Sequence, residues 1–439
     1  MQRRVKQFLF LVLMLLLLLP NVQQHLNWPK MKNLKGAISK PKLPQWSWKN
    51  LWTGSFQDSL NTYVENNIGY RPDLVRLHNQ LQYTLFDTVN AQAVVVGKDG
   101  YLFEMNYIKA LYGIDFVGEE KIIADVEKTI FVDQWLRKNG KALLVVLAPG
   151  KASFFPEFVP DKYRPDTIKP TNHDRYYELL SNSGVAVIGG NQWFAAMKDT
   201  SRYALFPKCG IHWSYYGLGL VFDSVFTRME HLLGRKFVDF EMNDIVVTDK
   251  LRSPDRDLWD GMNLIQKPDD YPMPYPKYVF NNPIKDSMPS VVTVADSYYW
   301  QWFGGGYTLR SFRNDQFWYY NAQALTPDNT KARDRKHLDL FTEVSRTDLF
   351  MILQTDANMN RYGFGLIDEL YEVLIDNGAE SLKKAAEIAA IIDGIRASDS
   401  YMLMVREKAA ARGISEEEML RLDAGWVWEN RQKTQAKPD

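Results

Sequence analysis

The segment Ala142-Leu143-Leu144-Val145-Val146-Leu147-Ala148 has no polar side. A half-exposed strand alternates apolar and polar residues, whereas a strand apolar throughout must be covered on both faces, as inside a parallel sheet. Two later runs, Ser290–Val294 and Leu349–Leu353, have nearly the same character, and Val185–Ile188 is a shorter one. Stretches with helical spacing separate them: about Glu119–Asn139, Asp174–Ser181 and Tyr215–Leu233. Strands alternating with helices predict a three-layer α/β fold around a mostly parallel sheet. Ligands of such folds sit beyond the carboxyl ends of the strands.

The flanks differ from this centre. Phe56, Leu60, Tyr63 and Val64 recur at helical spacing, and Asp73–Phe86 carries Leu74, Leu77, Leu81 and Leu85 in a second helix. Ala93–Val96 and Tyr101–Phe103 read as a hairpin about Gly97-Lys98-Asp99-Gly100. After Asp376 the chain turns to Ala, Glu, Lys and Leu, giving helices near Ser381–Ala397, Tyr401–Arg412 and Glu416–Asn430. Ser415-x-x-Glu418 forms a capping box before the last of them. The expected organisation is an N-terminal segment 1–20, a tether 21–54, the α/β domain 55–375 and a helical appendage 376–439.

Arg3, Arg4 and Lys6 precede an unbroken apolar run from Phe8 to Leu19, closed by Pro20. This is the pattern of an export signal. Twelve helical residues span about 18 Å, short of a ~30 Å hydrocarbon core. No small-x-small site follows in Pro20-Asn21-Val22-Gln23-Gln24-His25, so an uncleaved anchor is expected ahead of a cleaved signal. The tether carries Lys, Pro, Trp28, Trp46, Trp48 and Trp52, which suit an anionic membrane face and equally suit a solvated linker. Charge is split accordingly. The 53 basic and 53 acidic residues cancel, yet no Asp or Glu precedes Asp58, leaving +9 before it and −9 from there on. An acidic body argues against a nucleic-acid partner and against a polyanionic ligand. The single cysteine, Cys209, excludes an internal disulfide and a cysteine-based zinc site.

Val291–Val294 runs into Ala295-Asp296-Ser297-Tyr298, which puts Ser297 at the carboxyl end of a buried strand. A serine there can expose its hydroxyl as a nucleophile, with its own N–H facing a developing oxyanion; it can equally cap a helix. A base is needed, and of six histidines only His212 stands in a Pro- and Gly-bearing loop entering a helix, with Trp213 expected to pack beneath it. Lys151 and Asp296 fall at the same sheet edge and are candidate oxyanion or substrate contacts. Gly304-Gly305-Gly306 offers backbone donors, or only a turn. Trp300, Trp302 and Trp318 are candidate surfaces for sugar stacking, against the plainer reading of core packing. No His/Asp/Glu cluster has metal spacing, and neither Gly-x-Gly-x-x-Gly nor a P-loop occurs, so no metal or cofactor is expected.

Five segments in order resemble the SGNH-hydrolase-like proteins of the alginate O-acetyltransferase group (AlgJ/AlgX-like). They are Glu65–Arg71, Val95–Phe103, Ala148-Pro149-Gly150-Lys151, Gly210-Ile211-His212-Trp213 and Ala295-Asp296-Ser297. The resemblance spans about residues 55–375. It implies a permuted SGNH-hydrolase-like fold, with Ser297 matching the family nucleophile and His212, earlier in the chain, matching the base of an Asp-x-His-Trp motif. Gly210 stands where that motif has its aspartate. The acid normally orients and stabilises the imidazolium. Its substitute would be a backbone carbonyl, a distant carboxylate such as Asp257 or Asp260, or nothing in a plain Ser–His dyad.

The resemblance further implies an enzyme at the periplasmic face of the inner membrane, held there by its N-terminal anchor. It would acetylate a polysaccharide with acetyl groups supplied by a membrane-bound O-acyltransferase. A cleaved periplasmic form is the second expectation. Two other functions fit the same residues: a non-catalytic glycan-binding or assembly component, and a carbohydrate acetylesterase. The charge split favours a neutral or weakly charged glycan over a polyanion such as alginate.

Overall fold

The computed structural model describes the chain except residues 1, 37–40, 90, 92, 282–284, 328 and 436–439. Contacts divide it into two compact units. The first is Met1–Met105 with Lys208–Ile211 and Lys250–Tyr271. It opens with helix α1 (Gln2–Leu26), which passes through Pro20 instead of stopping there. A mid-helix proline removes one donor and crowds the carbonyl four residues back. The turn beyond it is held by Gln23, whose amide donates to the Pro29 carbonyl (2.9 Å) and accepts from the Tyr70 N–H (3.1 Å). The helical stretch Arg3–Leu26, 24 residues, contains an 18-residue apolar window with no burial. At 1.5 Å per residue it spans about 36 Å, long enough for a bilayer core, because the helix extends beyond both ends of the apolar run Phe8–Leu19.

Helices α2 (Ser55–Asn67) and α3 (Arg71–Phe86) follow, then the antiparallel hairpin β1 (Val94–Val96) and β2 (Leu102–Glu104) with Val95 opposite Phe103. Its turn takes left-handed backbone at Asp99 (φ 53°) and Gly100 (φ 74°), geometry that glycine adopts without strain. One side of α3 packs inward through Asn79, whose amide donates to the Met262 carbonyl at 2.7 Å, and through Tyr83 against Trp259. On its other side Leu74, Leu77, Leu81 and Leu85 are exposed.

The second unit is Asn106–Pro207, His212–Asp249 and Pro272–Asp439. In chain order it holds α4 (Glu119–Lys138), β3 (Ala142–Ala148), α5 (Asn172–Ser183), β4 (Ala186–Gly189), α6 (Gly190–Met197) and α7 (Tyr215–Leu233). Then come β5 (Asp239–Thr248), β6 (Met273–Asn281), β7 (Ser290–Ala295), β8 (Asn314–Tyr319), β9 (Gln323–Thr326) and β10 (Asn329–Asp334). The last elements are α8 (Leu340–Arg346), β11 (Leu349–Thr355), α9 (Leu366–Ile375), α10 (Ala379–Arg396), α11 (Asp399–Arg412) and α12 (Glu416–Gln435). Seven strands form one sheet in the order β10-β9-β8-β7-β11-β3-β4, parallel from β8 to β4 and antiparallel at the β9–β10 edge.

The all-apolar runs are its centre. β3, β7 and β11 are buried along their whole length, and Leu136, Val145, Val292, Phe350, Ile352 and Leu370 belong to one core with residues of α4 and α9. Register aligns Ala295 with Leu353 and Thr355 with Ala148, so the carboxyl ends of β7, β11 and β3 form a common edge. The mostly parallel α/β fold and the C-terminal helices expected from the sequence are present. The tail helices share a small core of their own, including Ile392, Val405 and Leu420. At its head the Ser415 hydroxyl accepts the Glu418 N–H at 3.1 Å.

The strands β5, β6, β8, β9 and β10 were not expected from the sequence. β5 and β6 form a separate antiparallel pair, β5 being mostly exposed and mixed in polarity. β8 begins Asn314-Asp315-Gln316, yet Asp315 and Gln316 are buried. Gln316 bridges the Glu343 carboxylate and the Trp318 indole N–H. Asp315 accepts the Tyr299 hydroxyl at 3.2 Å, and burial pushes its carboxyl up to about 7. A carboxyl raised in the folded chain binds its proton more tightly there, so the stability it allows is complete below pH ~4 and falls as pH rises towards 7. Asp315→Asn is expected to match the parent protein at pH 4.5 and exceed it at pH 8. Urea midpoints at the two pH values check this, and an unchanged difference between the proteins would exclude it.

Candidate active site

The site is built at the carboxyl end of β7. Its last residue leads to Asp296, fully buried, whose Oδ1 accepts the Tyr298 N–H at 3.1 Å and so caps a 3₁₀ turn, Ser297–Tyr299. Oδ2 takes three donors from the end of β11: the Thr355 N–H (2.8 Å), the Thr355 hydroxyl (2.7 Å) and the Asn358 amide (2.9 Å). This clasp turns the chain away from the strand direction and leaves Ser297 partly exposed among buried neighbours. Asp296 is thus neither a substrate contact nor an oxyanion donor, which corrects that expectation. Both of its oxygens are occupied by protein donors.

His212 comes from the loop before α7. Ser214 closes that loop: its N–H donates to the Leu205 carbonyl (2.8 Å), its hydroxyl to the Ala204 carbonyl (2.6 Å), and its Oγ accepts the Gly217 N–H (2.9 Å) as the helix cap. The imidazole lies 4.9 Å from the ring of Tyr298, tilted by 55°. Fully buried Trp213 packs edge-on against the same ring, so Tyr298, not Trp213, is the support beside the histidine. His212 Nε2 stands 3.0 Å from Ser297 Oγ. A base and a nucleophile in hydrogen-bond reach, both partly exposed at a strand-end edge, make an arrangement fit for acyl transfer.

Of the carboxylates considered as substitutes for the missing acid, Asp260 is engaged by Lys35 (2.6 Å) and Arg256 (3.4 Å). Asp257 Oδ1 accepts the N–H of Ile211 at 2.9 Å and that of Leu258 at 2.7 Å within the first unit.

The other expected site residues separate. Lys151 begins a short helix, Lys151–Phe154, after β3 and is fully buried, so its ammonium does not face a diffusing substrate. Gly304 N–H donates to the Trp300 carbonyl at 2.8 Å, and Gly306 N–H to the Phe303 carbonyl at 3.0 Å. A Cβ at Gly305 would come within 2.3 Å of the Tyr307 ring. Gly304 thus spends its N–H within a helix end, and Gly305 sits where a side chain would be crowded. Trp302 and Trp318 are fully buried, Trp302 against Phe222 (4.4 Å) and Trp318 beneath the Arg335 guanidinium (4.1 Å). Neither presents a face to a sugar. Trp300 is 37% exposed. Thr355, Asn358 and Tyr298 escaped the sequence reading because their roles arise only when β11 lies beside β7. Among the described residues no group of three or more His, Cys, Asp or Glu side chains is arranged to hold a metal.

Comparison with known proteins gives a likeness over part of the chain. Residues 94–258 match the family model for the SGNH hydrolase-like domain of the acetyltransferase AlgX, a span that takes in His212 and ends before Ser297. Over that span the chain is similar to the SGNH-hydrolase-like acetyltransferases of the AlgX/AlgJ kind, as the sequence motifs led us to expect. Among solved structures, the O-acetyltransferase domain of Pseudomonas putida AlgJ is 15% identical, covering 64% of this chain and 99% of its own, with a TM-score of 0.39. Pseudomonas aeruginosa AlgX is 14% identical over 63% of this chain and 67% of its own, with a TM-score of 0.40. Bacillus cereus PatB1 is 10% identical over 62% and 98%, with a TM-score of 0.35. No curated protein matches the chain.

Proposed function

We propose that the protein is an exported, membrane-tethered O-acetyltransferase that acetylates hydroxyls of a cell-surface or extracellular polysaccharide through an acetyl-Ser297 intermediate. The observation that carries this reading is the 3.0 Å approach of His212 Nε2 to Ser297 Oγ. In the first half-reaction Ser297 Oγ attacks the donor's acetyl carbonyl while His212 takes the hydroxyl proton, then returns it to the departing group. The Ser297 N–H, at the head of its turn, is the donor best sited for the developing oxyanion. In the second half-reaction His212 deprotonates a sugar hydroxyl, which attacks the acetyl ester, and the proton returns to Ser297. Trp300 is the aromatic surface left for a sugar ring.

The polysaccharide acceptor and the membrane-bound O-acyltransferase donor partner are carried over from the family resemblance. The −9 charge of residues 58–439 supports a neutral or weakly charged glycan. A chromogenic acetyl ester supplied with candidate glycans tests the reading: the glycan should gain acetyl groups faster than acetate is released. Acetate as the sole product would make the protein an acetylesterase. Glycan binding without turnover of any ester would make it a non-catalytic component.

Location at the periplasmic face of the inner membrane is supported by the length and exposure of Arg3–Leu26. The exposed Trp46, Trp48 and Trp52 and the exposed leucines of α3 lie in the same unit. The full chain is expected to sediment with membranes after carbonate washing, and a chain lacking residues 2–26 to lose that resistance. Equal retention of both would remove the anchor from the proposal.

A further inference from the structure

Along the sheet edge that carries Ser297, the strands β11, β3 and β4 end around a second cavity, of about 280 Å³. Strands in a sheet lie about 4.8 Å apart, which puts this cavity one to three strands, roughly 5–15 Å, from the serine. Its floor is Asp356, next in the chain after Thr355 of the Asp296 clasp and only 3% exposed. Asp356 Oδ2 accepts the Ser153 hydroxyl (2.6 Å) and the Asn191 amide (3.3 Å), while the buried Oδ1 has no partner. Gly150 makes room for it: a Cβ there would stand 2.0 Å from the carboxylate. His173, 1% exposed, lines the same cavity, with Nδ1 3.4 Å from Asp174 Oδ1 and the buried Nε2 unpartnered. Buried polar atoms are costly to leave unmatched, so two of them on one cavity point to a bound group that supplies their hydrogen bonds.

The chemistry of the walls narrows that group. Two carboxylates, Asp356 and Asp174, disfavour an anion, and no metal-binding cluster is present among the described residues. Hydroxyl and amide side chains of Ser153 and Gln192 add both donors and acceptors. The volume lies just under the roughly 300–1,000 Å³ of sites that enclose drug-sized ligands, so it suits one small ring. We infer that this cavity is an acceptor subsite that binds an uncharged, hydroxyl-rich sugar ring, a unit of the glycan next to the one acetylated at Ser297. The inference rests on the reading of the protein as a polysaccharide acetyltransferase.

Full-length protein carrying Ser297→Ala, in detergent, is titrated with maltose, cellobiose, mannobiose and N,N′-diacetylchitobiose by calorimetry and saturation-transfer NMR. At least one disaccharide is expected to bind. Ala195→Trp on the exposed rim should weaken it at least tenfold, and Gln192→Ala should weaken it measurably. Each variant is compared at unchanged thermal midpoint, so loss of folding is separated from loss of binding. If no disaccharide binds, or if affinity is indifferent to both substitutions, the cavity holds only water and the subsite is excluded. Ester turnover by the parent protein, lost in Ser297→Ala, reports the catalytic reading separately. Turnover without sugar binding would sink the subsite alone, whereas sugar binding with turnover unaffected by Ser297→Ala would sink the catalytic reading alone.

Discussion

Ser297→Ala is expected to lower kcat/KM for a chromogenic acetyl ester by roughly 10⁴-fold or more, and His212→Ala to lower it by a similar factor. The two side chains form one device: without Oγ there is nothing to acetylate, and without Nε2 at 3.0 Å the hydroxyl stays protonated and weakly nucleophilic. Their losses should therefore not add, and the double variant should be about as slow as either single one. Residual turnover would come from binding and backbone donors alone. Mass spectrometry after brief exposure to the ester gives a second reading, with one acetyl group on the Ser297 peptide of the parent protein and none in Ser297→Ala. Since Ser297 and His212 are partly exposed and Ser297 caps nothing, both variants should keep the parental thermal midpoint within a degree or two. Turnover above a tenth of the parental rate in Ser297→Ala would remove the acyl-enzyme from the mechanism.

How far the sequence revealed this site depended on whether a residue's role was local. β3, β7 and β11 were legible because an apolar run without a polar face has few places to go, and Ser297 followed as the residue just past such a run. His212 followed from its Pro- and Gly-bearing loop and from the scarcity of histidine. Non-local roles were hidden. The aromatic segment after Ser297 has the composition of a sugar platform, but Trp302 is buried against Phe222 of α7 and Trp318, within β8, lies beneath Arg335. Lys151 reads as a loop lysine, yet a single helical turn after β3 buries it. Pro20 signals a helix stop that the contacts of Gln23 override. Asp296 reads as part of a catalytic motif because only the fold reveals that its partners are Thr355 and Asn358.

That distinction sets up the largest stability effect expected in the site. Asp296→Ala removes the acceptor for four hydrogen bonds, three from the end of β11 and one from the Tyr298 N–H, in a fully buried position. Each donor left unmatched costs about 1–3 kcal/mol, partly relieved by water entering the space, so a loss of about 3–5 kcal/mol is expected. Asp296→Asn keeps one carbonyl oxygen but turns an NH₂ towards donors, and should fall between Ala and the parent. Activity should decline for a different reason than in Ser297→Ala. Asp296 is fully buried, and its hydrogen bonds fix where the turn carrying Oγ stands. A displacement of about 1 Å at reacting atoms is worth about 10²-fold, so kcat of Asp296→Asn should drop by roughly 10–100-fold with KM for a small ester little changed. Urea midpoints and kcat, the latter measured where the variant is fully folded, separate the two effects. Parental stability combined with a 10⁴-fold loss of kcat would instead assign Asp296 to the chemistry.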